Sequence, residues 1–535
     1  MSEPTAAEPP EGATDRPTRG ALARFLDLVE RLGNLLPHPV TLFALLALGV
    51  VLGSGLFAWL GWSVADPRPL GAAGRSADGT IAVVSLLSGA GLRRIVENLV
   101  TNFTGFVPLG TVLVAMLGVG VAEKSGLLTA AIRALVLRAP SNLITVAVVL
   151  AGVLSNTASE MGYVVLIPLA AVIFHGLGRH PLAGMAAAFA GVSGGYSANL
   201  LIGTVDPLLA GITQEAARLI DPEYTVHPAV NWYFMMISTL LIAALGTLVT
   251  TRIVEPKLGT YDSSFAVNQV AEQRTMEPVT SEEKRGLRWA LLATLAVALL
   301  VLVAIVPEGG VLRNPKTGGV LDSSLLRGMV TFIFVFFLVP GVTYGVVTRT
   351  IRSDRDVIDG MASSMSSLGL YIVLVFFAAQ FVAFFQWTNL GAILAVEGAD
   401  LLRAIGLTGP LVFVPFILMC CVVNLALGSA SAQWAITAPI FVPMLMLLGY
   451  SPEVVQAAYR IGDSTTNIVT PMMSYFGLIV AFVARYDRRV GIGTIISMML
   501  PYSVVFILGW TALFYLWVFA FGLPVGPAAP TYYTP

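Results

Sequence analysis

Three charged residues stand inside otherwise apolar sequence and define the chemistry to be explained: Asp206, Arg460 and Asp463. A charge in an apolar span is costly and marks an ion or substrate path by default. Arg460 and Asp463 are three apart, which places them on one helix face. Two readings are open. The two residues form a structural ion pair that fixes packing. Alternatively, Arg460 presents its planar fork to a substrate carboxylate, and Asp463 helps to hold a coupling cation. Asp206 precedes Pro207 and fits either a proton carrier or the cap of a helix that begins there. Glu160 fits a proton carrier or a residue at an aqueous mouth. Trp434 fits a stacking platform for an aromatic ligand, or a packing or interface residue.

The residues around them are small and polar. One region reads Ser155-Asn156-Thr157-Ala158-Ser159-Glu160, then Ser193-Gly194-Gly195-Tyr196-Ser197-Ala198-Asn199, then Gly203-Thr204-Val205-Asp206-Pro207. A later region has Asn424, then Gly428-Ser429-Ala430-Ser431-Ala432-Gln433-Trp434, then Arg460 to Asn467, then Thr470-Pro471. Such runs cannot face lipid, because non-helical backbone at membrane depth must be buried in protein or line a cavity. Gly and Ser permit tight hairpin tips. Their hydroxyl and carbonyl oxygens suit a small hard cation such as Na+. Free N–H groups at half-helix starts suit a carboxylate.

The elements that position these residues follow from composition. The 535-residue chain is 56% hydrophobic and 11% charged, against about 25% charged for a soluble domain. Many stretches approach the ~20 apolar residues that cross a bilayer. The fold class is therefore an all-α polytopic membrane protein. Residues 1–20 read as a disordered tail without the apolar core of a signal peptide. Nine full spans are expected near 38–62, 100–122, 182–203, 230–255, 287–306, 328–350, 361–386, 453–484 and 490–520. The stretches near 140–176 and 409–447 are expected to form two re-entrant hairpins. With a cytoplasmic N-terminus, Lys and Arg divide 20 inside against 9 outside, with Arg460 in the membrane. That bias satisfies the positive-inside rule.

The two interrupted regions match each other without gaps at an offset of 271. Pro168 pairs with Pro439, Gly178 with Gly449, Pro181 with Pro452, Gly191 with Gly462 and Ser193 with Ser464. Opposite entry of the two hairpins makes the repeats inverted, an arrangement that places substrate and ion sites at the midplane of secondary transporters. The expected organisation is a cytoplasmic tail and amphipathic segment (1–37), a first repeat region (38–255), a cytoplasmic loop (256–286), a second repeat region (287–520) and a periplasmic tail (521–535).

Other classes lose ground. A net charge of −1 argues against nucleic acid. Adjacent Cys420 and Cys421 offer neither a disulfide nor a zinc cluster. No P-loop is present, and no Gly-x-Ser-x-Gly elbow or HExxH pair supports an enzyme. An ion channel using the same hairpins as a filter, and a membrane enzyme built on Arg460 and Asp463, remain the competing classes.

At these residues the sequence resembles the p-aminobenzoyl-glutamate transporter (AbgT) family of the ion transporter superfamily. The resemblance covers about 30–520 and is carried by Ser-Asn-Thr-Ala-Ser-Glu-Met-Gly-Tyr at 155–163 and Tyr-Arg-Ile-Gly-Asp-Ser at 459–464. It implies a homodimer in the bacterial inner membrane, with nine transmembrane helices and two hairpins per protomer, and a bowl-shaped basin open to the cytoplasm. It implies transport-site roles for Asp206, Ser431, Trp434, Pro452, Arg460, Asp463 and Pro471, and sodium ligation by Asn424 and Asp463. The polar tip of the first hairpin is Ser155, Asn156, Thr157 and Glu160. Its Ser-Asn-Thr is replaced in the second hairpin by Gly-Ser-Ala-Ser, so the two halves of the cation site are expected to be unequal. The resemblance implies ion-coupled movement of p-aminobenzoyl-glutamate or related aromatic carboxylates, or proton-driven export of sulfonamide antimetabolites. Na+ and/or H+ would be the coupling ion, with no other cofactor.

Overall fold

The computed structural model describes residues 37–68, 75, 78–158, 162–266, 278–321 and 323–534. The expected N-terminal tail, most of the amphipathic segment and Glu160 lie outside these residues. The chain runs through α1 (Pro39–Trp59), a short hairpin of β1 (Ser63–Ala65) and β2 (Thr80–Ala82), α2 (Gly89–Thr104), α3 (Val107–Lys124), α4 (Leu127–Leu137), α5 (Ile144–Ser155), α6 (Ile167–Gly176), α7 (Pro181–Phe189), α8 (Val205–Ala217) and α9 (Trp232–Val249). It continues through α10 (Ser281–Ile305), α11 (Met329–Val347), α12 (Asp354–Ser367), α13 (Gly369–Trp387), α14 (Leu390–Ala404), α15 (Phe413–Leu427), α16 (Ala430–Leu447), α17 (Pro452–Thr466), α18 (Phe476–Tyr486) and α19 (Ile492–Phe514).

Among the described residues, nine helical stretches are long and apolar enough to cross a membrane. Seven of them fall on expected spans. The stretches 182–203 and 453–484 are broken. α7 runs on as a wider π turn through Gly194, leaves the helix, and resumes as α8 at Val205. α17 ends at Thr466, and helix returns only at Phe476. Hydropathy averages over a window and cannot register this. The breaks come from Gly194-Gly195, from Pro471, which lacks an N–H, and from hydroxyls that compete for backbone groups. Two other stretches pass the same test of length and apolarity, Pro410–Leu427 and Ala430–Leu447, the arms of the stretch expected as the second hairpin. They turn on Gly428, whose φ of +57° is left-handed.

The offset of 271 is a structural repeat. Gly178 and Gly449 follow α6 and α16 with φ of +71° and +95°, the left-handed stop that glycine supplies at a helix end. His180 and Ser451 then cap α7 and α17, with side chains accepting from Leu182 N and Val454 N. Pro181 and Pro452 occupy the first helical position of each, where a missing N–H costs nothing. Both helices end in a break at matching register. Each break packs on its own hairpin tip. A Cβ on Gly203 would lie 3.1 Å from Thr157 Cα, and one on Gly428 would lie 2.7 Å from Met472 O.

Burial separates a lipid-like periphery from a packed centre. In the apolar window of α10 only 11% is buried, and Leu291, Leu295, Leu299, Leu300 and Val303 are all more than half exposed. An apolar face of that extent needs a non-aqueous partner. At the centre, every residue of α17 is buried. Its Glu453, Gln456, Arg460 and Asp463 recur at i, i+3, i+7 and i+10, one stripe of the helix. A stripe this polar is stable in an apolar protein only if other side chains satisfy it.

Candidate functional site

Arg460 lies midway along that stripe, 2% exposed. Its Nη2 donates to Asp206 Oδ1 at 2.6 Å, and its Nε donates to Asn231 Oδ1 at 3.0 Å. The ion partner of Arg460 is therefore Asp206, 254 residues away and on α8, not its helix neighbour Asp463. Among the described residues no ion pair joins Arg460 to Asp463. Asp206 lies in the first turn of α8, which begins one residue before it rather than at Pro207. Its Oδ2 accepts from Gly203 N at 2.7 Å, so this carboxylate also fixes the break before its own helix.

Asn231, at the start of α9, is buried and spans three partners. Its Oδ1 also accepts from Gln456 Nε2 at 2.8 Å, and its Nδ2 donates to Glu453 O at 2.8 Å. Gln456 Oε1 accepts from Thr213 Oγ1 at 2.6 Å, and Trp434 Nε1 donates to the same Thr213 hydroxyl at 2.9 Å. The Trp434 indole stacks on the Tyr459 ring, with centroids 4.2 Å apart and planes 24° apart. Side chains from α8, α9, α16 and α17 thus converge on one guanidinium and one aromatic face.

A second polar cluster lies further along α17. Asn424 on α15 donates through Nδ2 towards Asp463 O (2.7 Å), Thr466 Oγ1 (2.9 Å) and Asn467 Oδ1 (2.8 Å). Asn424 Oδ1 and both carboxylate oxygens of Asp463 are buried with no hydrogen-bond partner. The nearby Tyr459 hydroxyl donates instead to Ala430 O at 2.6 Å. A buried carboxylate without donors requires a cation or a proton. Among the described residues no trio of His, Cys, Asp and Glu could hold a metal. The donor set is amide, carboxylate, hydroxyl and carbonyl oxygen, which suits a hard cation.

The remaining expected positions fall around these two clusters. Ser431 is half-buried in the first turn of α16. Pro452 opens α17, and Pro471 lies in the break beyond it, where Thr470 Oγ1 donates to Leu425 O at 2.8 Å and ties that break to α15. In the first hairpin, Ser155 Oγ donates to Gly152 O at 2.6 Å, and Thr157 Oγ1 donates to Asn199 Oδ1 at 2.9 Å. Asn156 is buried beside them. The first break meets the last turn of α17 directly: Ser197 N donates to Ser464 Oγ at 3.1 Å. Asn231, Thr213, Gln456 and Glu453 are not among the expected site residues. Gln456 and Glu453 carry a signal, because they continue the Arg460 stripe by one and two turns. Asn231 and Thr213 carry none, being ordinary polar residues brought in by the fold.

The model of the family described as "AbgT putative transporter family" matches residues 24–533. The p-aminobenzoyl-glutamate transport protein of Escherichia coli (strain K12) is 36% identical over 512 residues, covering 96% of this chain and 97% of that protein. The solved structure of Neisseria gonorrhoeae MtrF, described with a class of antimetabolite efflux pumps, superposes with a TM-score of 0.89 at 59% identity over 95% of this chain and 100% of that one. The Alcanivorax borkumensis YdaH transporter superposes at 0.84 with 44% identity, over 92% and 100%. The chain belongs to the AbgT family, and is a multi-pass membrane transporter rather than an enzyme.

Proposed function

We propose that the chain is an ion-coupled secondary active transporter of small aromatic carboxylates of the p-aminobenzoyl-glutamate type. The observation that carries this reading is the buried Arg460–Asp206 pair beside the stacked Trp434. An arylamide bearing carboxylates matches both parts. The ring would lie against the indole, and a carboxylate would displace Asp206 from the guanidinium. Asp206 would keep its Gly203 N–H, while Asn231 holds Arg460 by Nε. Displacement adds one anion to a buried centre, and a cation held by Asp463 and Asn424 would offset it. That charge balance is the physical basis of coupling. Na+ fits the oxygen set there, and H+ would fit Asp463 alone.

Supporting geometry comes from the paired breaks. The repeat at an offset of 271 gives two hairpins packed on two interrupted helices, and we read the hairpins as re-entrant and the repeats as inverted. The N-terminus is then cytoplasmic by charge bias, the membrane is the bacterial inner membrane, and two protomers form a homodimer. Transport proceeds by movement of the hairpin regions against the outer helices.

A second reading, export of sulfonamide antimetabolites, is favoured by one finding. The chain is 59% identical to the efflux pump MtrF and 36% identical to the p-aminobenzoyl-glutamate protein. A sulfonamide shares the aminophenyl unit, so the same indole would receive it. Proteoliposomes decide between them. Labelled p-aminobenzoyl-glutamate and a labelled sulfonamide are each offered under separately imposed Na+ and H+ gradients. Saturable, trans-stimulated exchange of the carboxylate is expected. Flux without trans-stimulation would indicate a channel and end the transporter reading.

A further inference from the structure

Among the described residues, four side-chain carbonyl or carboxylate oxygens are buried without a hydrogen-bond partner: Asn424 Oδ1, Gln433 Oε1 and the two oxygens of Asp463. All four belong to one neighbourhood, a single turn of α15. Asn424 is on that turn. Gln433, across the hairpin on α16, donates through Nε2 to Cys420 O at 2.8 Å, one turn before Asn424. Asp463 reaches the same turn from α17. Its carbonyl accepts from Asn424, and its neighbour Gly462 is pressed so close that a Cβ there would lie 2.5 Å from Cys420 Cβ and 2.7 Å from Ile417 O.

The orientation of the Gln433 amide is fixed. With Nε2 on the Cys420 carbonyl, a flip would set Oε1 against another oxygen. Gln433 is fully buried, so water does not satisfy the remaining oxygen from the surface. A role limited to stapling the hairpin arms needs only the donor half of the amide. It leaves the acceptor half unexplained, and a buried acceptor without a partner is costly.

We propose that Gln433 is a further cation ligand, its Oε1 joining Asn424 and Asp463 in one site that spans both arms of the second hairpin and α17. This rests on the reading of Asp463 and Asn424 as the coupling-cation site. It adds a consequence: a ligand on α16 next to Trp434 ties cation binding to the aromatic platform through one peptide bond. The cation then draws both hairpin arms onto α17 while the substrate meets the indole.

The test is direct binding, not transport. Full-length protein in detergent is titrated with 22Na+ at constant ionic strength made up with choline chloride. Wild type, Gln433→Ala, Gln433→Glu and Asp463→Asn are compared, with unfolding midpoints in Na+-free buffer as the check on folding. Gln433→Ala is expected to raise the Na+ Kd by about tenfold or more, the scale seen when groups at a metal site are removed. Gln433→Glu retains an acceptor oxygen, so it should restore binding and alter the preference between Na+ and Li+. A residue that only staples the hairpin would not change that preference. If Asp463→Asn loses Na+ while Gln433→Ala binds it as wild type does, the assignment of Gln433 is overturned and the cation site stands. If wild type binds no Na+, both the site and this extension of it fail.

Discussion

Arg460 commits two guanidinium nitrogens to fixed partners, Nε to Asn231 and Nη2 to Asp206. Such a pair is asymmetric in energy. Removing one partner strands a buried charge and costs about 3–5 kcal/mol, whereas removing both can cost far less. We therefore expect Arg460→Ala and Asp206→Ala each to lower the unfolding midpoint strongly, and the double variant to be more stable than either single one. Transport should be lost in all three. Thermal unfolding of the purified variants checks the cycle, and additive losses would mean that the two charges are not coupled. The presence of both charges was plain in the sequence, because each stands alone in apolar surroundings. Their pairing was not. Spacing along a helix suggests i, i+3 partners, and Asp463 filled that place for Arg460. Partners 254 residues apart are set by which helix faces which, and no local pattern encodes that. Gln433 was hidden for a related reason: a glutamine in a Ser/Ala run is unremarkable until its oxygen is seen to lack a donor.

At the scale of elements, punctuation was more legible than continuity. The match of Gly178 with Gly449 and of Pro181 with Pro452 reads directly from the chain, and both pairs perform the same stop and start in the structure. What apolarity could not convey was that two spans are broken, since the breaks consist of the same small residues that pack well in membrane helices. The glycines allow a quantitative contrast. A Cβ on Gly178 or Gly449 would meet nothing within 4 Å, so Gly178→Ala and Gly449→Ala bear only the left-handed backbone penalty, about 1–2 kcal/mol. Similar small losses in unfolding midpoint are expected in the two repeats, with exchange activity retained. Gly462→Ala is different, because its Cβ would overlap Cys420 Cβ and the Ile417 carbonyl. It must push α17 off α15, with overpacking worth about 1–3 kcal/mol, and separate Asp463 from Asn424. A Gly462→Ala protein that binds Na+ as wild type does would show that this close approach does not build the site.

For the molecule as a whole, the segment after α19 closes the circuit between the repeats. Its backbone is bonded to both regions that serve Arg460. Phe234 N at the start of α9 donates to Val525 O at 3.0 Å, and His227 Nε2 lies 2.9 Å from Pro527 O. At the start of α17, Ser451 N donates to Thr531 O at 3.2 Å, and Tyr533 N donates to Gly449 O at 2.9 Å. Gly526 lies so close to the turn before α9 that a Cβ would fall 2.2 Å from Val230 O. The strap thus bonds to residues on either side of Asn231 and to residues just before Glu453, and so ties together the two backbone segments that carry the Asn231–Arg460 hydrogen bond. Each such bond is worth about 0.5–1.5 kcal/mol net, enough together to hold two helix starts in register but little against the stability of the packed centre. Substituting Gly526→Ala should lift the strap without touching any charged group. The expected result is faster amide hydrogen exchange confined to residues 449–456 and 227–234, with the rest of α17 unchanged, because local opening follows the contacts that are lost. If exchange in those two segments stays at the wild-type rate, the strap does not hold the helix starts. If exchange rises along the whole of α17, the strap supports the core itself, and Arg460 is positioned by global packing rather than by this local tie.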